Sequence, residues 1–258
     1  MTSEQRYNRQ VVLPEIGDAG QVQLGEASVL CVGAGGLGAP VLHYLAAAGI
    51  GRIGIIDPDT VDFSNLHRQV IFTEDDVGAP KAEKAGQHVA ALNSDITVEA
   101  YDAVLTPDNA PDLFADYDII IDGTDNFAAK FLINDAAVKY NRPWIYGAIQ
   151  GFDGQAAVFY ANEGPCYRCL YPEMPKAQIA NCAESGVIGA VAGLIGMTQA
   201  LQAIQLITGH ESFAPLKGKL WTLNSKSMAT HTLNIPRNPN CQVCSHVPES
   251  VKLTRSAS

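Results

Sequence analysis

Basic residues are scarce in this chain: 17 Lys and Arg stand against 27 Asp and Glu in 258 residues, a formal net charge of −10. A protein that holds nucleic acid through its phosphates needs the opposite balance, so no nucleic-acid partner is expected. Also missing is any apolar run long enough to span a bilayer without interruption by Gly or charge, and the opening Met-Thr-Ser-Glu-Gln-Arg-Tyr lacks the basic-then-apolar build of a signal peptide. Together these absences predict a cytoplasmic protein with no membrane partner. There is no internal repeat and no low-complexity stretch. Cysteines number six, and in a cytoplasmic chain of this size they read as metal ligands or reactive thiols rather than a disulfide framework. What the chain does have is 47% hydrophobic and 17% charged residues, enough for a full core in one large α/β domain or a domain with an appendage.

Residues 6–24 mix polar, apolar and turn residues and predict a helical arm outside the first strand, its arginines placed to reach another subunit. Residues 28–32 read as a short apolar strand, 33–38 as a glycine turn, 37–48 as an Ala/Leu-rich helix and 52–57 as a second buried strand. That is a βαβ unit, so the sheet starts parallel. The alternation continues with a helix at 81–92, strands at 96–101 and 117–122, a helix at 126–140 and a strand at 143–148. A strand at 154–160 follows, and then a polar stretch, 161–182, carries Pro165, Pro172 and Pro175 and reads as a functional or mobile loop. Residues 187–208 predict a long apolar helix, too glycine-broken for a membrane span and suited to a core or a subunit interface. Residues 219–224 and 231–235 read as an antiparallel pair, and 247–258 as a frayed polar tail. The expected fold class is α/β: a Rossmann-like, mostly parallel sheet continuing into antiparallel C-terminal strands. One domain is expected over 1–250, with an arm at 1–25, a nucleotide-binding part at 26–150 and a C-terminal part at 151–246.

Gly33-Ala-Gly35-Gly36-Leu-Gly38 follows a strand and opens a helix, the context in which backbone N–H groups and a helix N-terminus meet phosphate. Asp57 ends the next strand, where a carboxylate bonds a ribose hydroxyl. Alone, this pair suggests a dinucleotide. The segment Ser64-Asn65-Leu-His67-Arg68-Gln69 departs from that reading by putting two amides and a guanidinium on one short helix, with Lys81 following Pro80 at a helix start. Arg and Lys aimed at one pocket suit a triphosphate whose α–β bond breaks with pyrophosphate leaving; the alternative is a solvated polar helix. Thr124-Asp125-Asn126 stands just past the strand ending at Asp122, so Asp125 can hold Mg²⁺, cap the next helix, or both. Cys166/Cys169 and Cys241/Cys244 have the spacing of a four-thiolate structural zinc site, closed to substrate, against the alternative of four reduced buried thiols. Cys182 precedes the long helix, where a thiol's pKa falls, and can be reactive or inert; Cys31 reads as core.

In order along the chain, Arg6-Tyr-Asn-Arg9-Gln10, the glycine turn, Asp57-Pro-Asp59 running on to Ser64-Asn65-Leu-His-Arg68-Gln69, Pro80-Lys81, Thr124-Asp125-Asn126 and the two Cys-x-x-Cys pairs resemble the ThiF/MoeB/HesA family, bacterial relatives of ubiquitin-activating enzymes. The resemblance runs from about Arg6 to Cys244. It implies a homodimer that binds Mg-ATP and adenylates the C-terminal glycine of a ubiquitin-like sulfur carrier ending in Gly-Gly, for thiamine thiazole or molybdopterin synthesis. It implies that Gly33, Gly35, Gly36, Gly38, Asp57, Asp59, Ser64, Gln69, Thr124 and Asn126 contact the nucleotide, that Asn65, Arg68 and Lys81 reach its phosphates, and that Asp125 binds Mg²⁺. Arg9 would enter the neighbouring subunit's site, the four cysteines would hold Zn²⁺ in a carrier-binding C-terminal part, and Cys182 would stand where the thiamine branch forms a covalent link to its carrier. Many members carry a rhodanese domain, whereas this chain ends soon after Cys244, so the expected sulfur donor is a separate protein, a cysteine desulfurase or rhodanese. His67 stands where Gln is common.

Three rivals remain. Activation of another carboxylate, a peptide terminus or a modified tRNA base, uses the same machinery, though the acidity disfavours tRNA. An NAD-dependent oxidoreductase shares the glycine turn but does not require Asn65, Arg68 and Lys81. A silent scaffold predicts the loss of Arg9, Arg68, Lys81 or Asp125, and all four are present.

Overall fold

The computed structural model describes residues 3–175 and 186–247. The arm is two helices, α1 (Ser3–Val11) and α2 (Gly17–Glu26). The βαβ unit follows as β1 (Ser28–Val32), α3 (Gly38–Ala48) and β2 (Arg52–Ile56). Next come α4 (Lys81–Leu92), β3 (Thr97–Tyr101), α5 (Ala110–Asp116), β4 (Ile119–Asp122), α6 (Phe127–Lys139) and β5 (Trp144–Gln150). The C-terminal part adds β6 (Asp153–Phe159), α7 (Tyr167–Leu170), α8 (Gly189–Thr208), β7 (Lys219–Asn224) and β8 (Ala229–Asn234).

All eight strands form one sheet in the order β3-β2-β1-β4-β5-β6-β7-β8. Pairs from β3 through β5 are parallel, and those from β5 through β8 antiparallel. β1, β2 and β4 are near-continuous apolar runs because helices cover both faces, whereas β3 at the sheet's margin is exposed or half-buried throughout. Alternate residues separate accordingly: Val29, Cys31, Ile53, Ile55, Ile119 and Ile121 pack beneath α3, α4 and α8. Leu30, Val32, Ile56 and Ile120 face α5, α6 and an aromatic group of Trp144, Tyr146, Phe159 and Tyr167. α8 is long and apolar enough to cross a membrane by length and composition, but here it lies against α3, β5 and β6.

Several expectations shift. Ser64 to Gln69 is not one helix: a 3₁₀ turn at Phe63–Asn65, N-capped by Asp62, which accepts the Ser64 N–H at 2.8 Å, passes into further turns. α5 has no counterpart in the sequence reading; it is short and carries Pro at its start, so no full helical period shows. β8 begins at Ala229 rather than 231 and all its residues are exposed, which leaves no burial pattern to read. Within 161–182 a short helix, α7, stands at the first cysteine pair; residues 176–182, including Cys182, lie outside the described residues, as does the tail from 248.

The arm is held to the domain by a buried amide. Asn93, 0% exposed, donates from Nδ2 to Tyr7 Oη at 2.7 Å and to Ala46 O at 2.9 Å. Asn93→Ala leaves these acceptors unmet and is expected to cost about 2 kcal/mol of stability, read by urea unfolding, with faster proteolysis of the arm. A second network joins strand starts: Glu99 accepts from Arg52 Nε and Nη2, each at 2.9 Å. The guanidinium bonds hold its carboxyl at about 2. A depressed folded pKa adds stability that is full above the unfolded value, near 4.5, and is lost as pH falls toward 2. Glu99→Gln is expected to flatten that part of the melting temperature against pH curve.

Candidate active-site cleft and cysteine cluster

A cleft of about 950 Å³ opens at the C-terminal ends of β1, β2, β4 and β5, where ligands sit in an open parallel sheet. Its floor is the glycine turn. Gly33 has φ +94°, and a Cβ there would stand 2.9 Å from Gly123 O. Gly35 and Gly36 also face the cleft, while Gly38 lies behind it: a Cβ on Gly38 would meet Gly33 O at 2.0 Å, so this glycine lets helix and turn touch. α3 begins without a side-chain cap; the Ala39 N–H is met by Gly35 O at 2.8 Å and Pro40 has none, so what the helix start offers the cleft through the glycine turn is the positive end of its dipole.

Asp57 is 5% exposed and accepts from Ala34 N at 2.7 Å and Asp59 N at 2.9 Å. Burial pushes its carboxyl above the ordinary value against those two N–H bonds. Lys81, the first residue of α4, is 6% exposed and pairs with Asp59 at 2.9 Å on the cleft wall. Asn65, at the end of the 3₁₀ segment, and Arg68 and Gln69, from the turns after it, line the cleft. Arg68 donates from Nη1 to Ser64 O at 3.1 Å and stands 2.8 Å from His67 Nε2. Gln69 is buried, and its Oε1 has no partner among the described residues, an acceptor left for a ligand. Ser64 itself is outside the lining and gives its N–H and O–H to Asp62.

On the far side, Thr124, Asp125 and Asn126 line the cleft. Asn126 caps α6 by accepting from Ala129 N at 2.9 Å, which leaves the exposed Asp125 carboxylate free of capping duty. Asp122 is fully buried and committed: Oδ1 accepts from Thr124, and Oδ2 accepts from Lys130 at 2.6 Å. Of the two carboxylates at this strand end, Asp125 is therefore the one with oxygens to offer a cation.

Arg9 is exposed on α1 and does not line this cleft. Sequence reasoning missed Lys130, Tyr146, Gln150, Asp153, Gln155 and Tyr171, which complete the wall from α6, β5, β6 and α7's end. A signal existed for Lys130, the lone charge in Phe127-Ala-Ala-Lys130-Phe-Leu-Ile. Tyr171 caps the C-terminal end of α7, and the other four come from β5 and β6, which meet only through the antiparallel extension.

The second cluster lies beside this site on the C-terminal part. Sγ atoms of Cys166, Cys169, Cys241 and Cys244 fall within 4.8 Å of one another, with Cys166–Cys241 at 3.6 Å, Cys169–Cys244 at 3.5 Å and Cys166–Cys169 at 4.0 Å. Tetrahedral zinc with Zn–S near 2.3 Å sets sulfur–sulfur edges of about 3.8 Å, so the donor set fits that ion and the spacings are not those of disulfides. The Asn238 N–H also points at Cys169 Sγ, 3.4 Å away. Bonds from the Cys166 thiol and this N–H lower the pKa of the Cys169 thiol. Cys31 is fully buried in the core, where burial raises its thiol.

Comparison with known proteins agrees with this geometry. A sulfur carrier protein adenylyltransferase of Thermus thermophilus is 45% identical, aligned over 96% of this chain and 93% of its own length. An adenylyltransferase and sulfurtransferase MOCS3 of Anopheles gambiae is 45% identical, but there the chain spans 56% of the relative. A probable adenylyltransferase/sulfurtransferase MoeZ of Mycobacterium tuberculosis is 46% identical, and the chain spans 61% of it. Among solved structures, E. coli MccB with ATP superposes with a TM-score of 0.81 at 26% identity, covering 94% of this chain and 75% of that one. The ThiF family model matches residues 7–243, nearly the whole described fold, and the chain belongs to the ThiF family.

Proposed function

We propose that this protein uses ATP to adenylate the C-terminal glycine of a small ubiquitin-like sulfur carrier, releasing pyrophosphate. The observation that carries this reading is one cleft holding an uncapped helix N-terminus, Arg68, Lys81, the unpartnered Gln69 Oε1 and an uncommitted Asp125. A dinucleotide oxidoreductase has no use for that cationic wall. The likeness to the Thermus sulfur carrier protein adenylyltransferase over 93% of its length supports the same reading.

A glycine carboxylate is already ionised near neutral pH, so no general base is needed. One carboxylate oxygen bonds to the α-phosphorus, the α–β bridging P–O bond breaks, and the electron pair leaves with pyrophosphate. The chain's task is alignment and charge neutralisation. In this assignment the turn at Gly33 to Gly36 and the α3 N-terminus hold phosphate, Asp57 and Asp59 lie at the ribose, and Asn65, Arg68 and Lys81 meet the β- and γ-phosphates. Lys81 exchanges its Asp59 partner for phosphate as the nucleotide enters. Thr124, Asp125 and Asn126 form the metal corner; Mg²⁺ held by Asp125 supplies charge neutralisation on the phosphates. The wall of Tyr146, Gln150, Asp153, Gln155 and Tyr171 receives the carrier's tail.

The same reading takes residues 26–150 as the nucleotide part and 151–246 as the carrier-binding part, stapled by Zn²⁺ on Cys166, Cys169, Cys241 and Cys244. Arg9, exposed and away from its own cleft, serves the site of a second copy in a homodimer. Sulfur comes from a separate cysteine desulfurase or rhodanese, and Cys182 is assigned as a reactive thiol for the activated carrier. A second reading, adenylation of a peptide terminus, is favoured by the likeness to MccB, solved with MccA at a TM-score of 0.82.

ATP–pyrophosphate exchange decides between them: exchange dependent on a carrier ending in Gly-Gly supports the first reading, whereas exchange with a free peptide and none with carriers selects the second. Arg68→Ala and Asp125→Ala are each expected to lower exchange by at least about a hundredfold, as for loss of a transition-state charge contact, with unchanged circular dichroism; normal turnover in both would sink the site assignment. Cys166→Ser is expected to lower bound zinc, measured by elemental analysis, together with thermal stability. Unchanged metal stoichiometry in that variant rules out the four-thiolate site.

A further inference from the structure

β4 and β5 pair in register only at Ile120 with Trp144 and Ile121 with Ile145; beyond those residues the strands part and the cleft lies between their ends. Parting strands lose the ladder that fixes their spacing. Two side chains span the gap instead. Gln199 of α8 donates from Nε2 to Asp122 O at 2.8 Å and Ile145 O at 3.1 Å. Lys130 of α6 donates to Asp122 Oδ2 at 2.6 Å, Gly147 O at 2.8 Å and Thr124 O at 2.9 Å.

The three acceptors of Lys130 belong to three different pieces of the site. Asp122 ends β4, Thr124 immediately precedes Asp125, and Gly147 leads into the β5 wall at Ala148 to Gln150. An ammonium has three donors, and all three are used, so Lys130 has none left for a ligand although it lines the cleft. On the α8 side Gly147 has no room for a side chain, since a Cβ there would come within 2.6 Å of the Gln199 carboxamide.

We propose that Lys130 is a positioning residue that sets the separation between the Asp125 loop and the β5 wall. It thereby holds the metal–phosphate end of the cleft at a defined distance from the end that receives the carboxylate. The role rests on the adenylating reading of the cleft and deepens it. It requires that cutting the strap disturb what Asp125 does without disturbing the glycine turn, which Lys130 does not touch.

Removing the lysine alone strands the buried Asp122 charge and endangers folding. Lys130→Met combined with Asp122→Asn removes both charges, keeps an Oδ1 acceptor for Thr124 and still cuts the strap. ATP binding is measured by calorimetry with Mg²⁺ and with EDTA in the wild type, this double variant and Lys130→Arg. The metal-free affinity is expected to stay unchanged in the double variant, while the gain in affinity from Mg²⁺ falls by about tenfold, as for loss of an outer-shell partner. Lys130→Arg, which keeps donors at this position, is expected to restore most of that gain. A folded double variant with the wild-type Mg²⁺ gain overturns the proposal. So does an equal loss of affinity with and without metal, or a wild type whose ATP binding is indifferent to Mg²⁺. A wild type that binds Mg-ATP and exchanges no pyrophosphate refutes the adenylating reading alone, because the Mg²⁺ gain still decides the role of Lys130.

Discussion

The site depends on the register of three parallel strands. Val32, Ile56 and Asp122 end β1, β2 and β4 at the same level, and the turns beyond them are stitched by backbone bonds, Gly33 N to Ile56 O at 2.8 Å and Gly123 N to Val32 O at 2.7 Å. Two glycines meet where side chains would collide, so the loop carrying Asp125 lies against the loop that opens α3. A one-residue slip in either strand would exchange inner and outer faces and pull these loops apart. Charge chemistry gathers at the C-terminal edge of these strands because every parallel crossover returns the chain to their N-terminal ends.

That edge is costly to build. Lys81, Lys130, Asp57 and Asp122 are all nearly buried, and each charge taken from water must be offset by partners placed around it. Lys130 and Asp122 offset each other and are closed to ligands. Lys81 pairs with a half-open carboxylate, Asp59, whose side chain is 65% exposed, and a pair with one partner in solvent is weakly held and exchangeable. The division between a sealed pair and an exchangeable one separates the frame of the cleft from its working surface. Gln69 Oε1 belongs to the working surface, since a buried acceptor without a partner is destabilising until something donates to it.

The C-terminal extension supplies the remaining wall. β6, β7 and β8 continue the sheet antiparallel from β5, and the cysteine cluster anchors the segment between β6 and α8 to the chain after β8. This anchor is tied to the parallel part of the sheet through α6: Asn134 accepts from Tyr167 N at 2.7 Å, and Asp135 binds Arg168 through two bonds of 2.7 Å. One helix thus carries Asn126 at its cap, Lys130 in the cleft and the cysteine module's supports a turn later.

The sequence by itself determined the βαβ start, the glycine turn, the order of the polar motifs that line the cleft and the two cysteine pairs. Each is a local pattern in which apolar runs, φ-permissive glycines or Cys-x-x-Cys spacing report directly on backbone or ligand geometry. It did not determine α5, the turns that replace a helix at Asn65 to Gln69, or the start of β8, where short length and, for β8, full exposure leave no periodic signal. Only the tertiary structure decided that Asp122 is sealed by Lys130 while Asp125 stays open, that Gly38 packs rather than lines, and that the four thiols converge. Those outcomes depend on which distant residues the sheet brings within a few ångströms, and contacts across parting strands have no counterpart in local sequence.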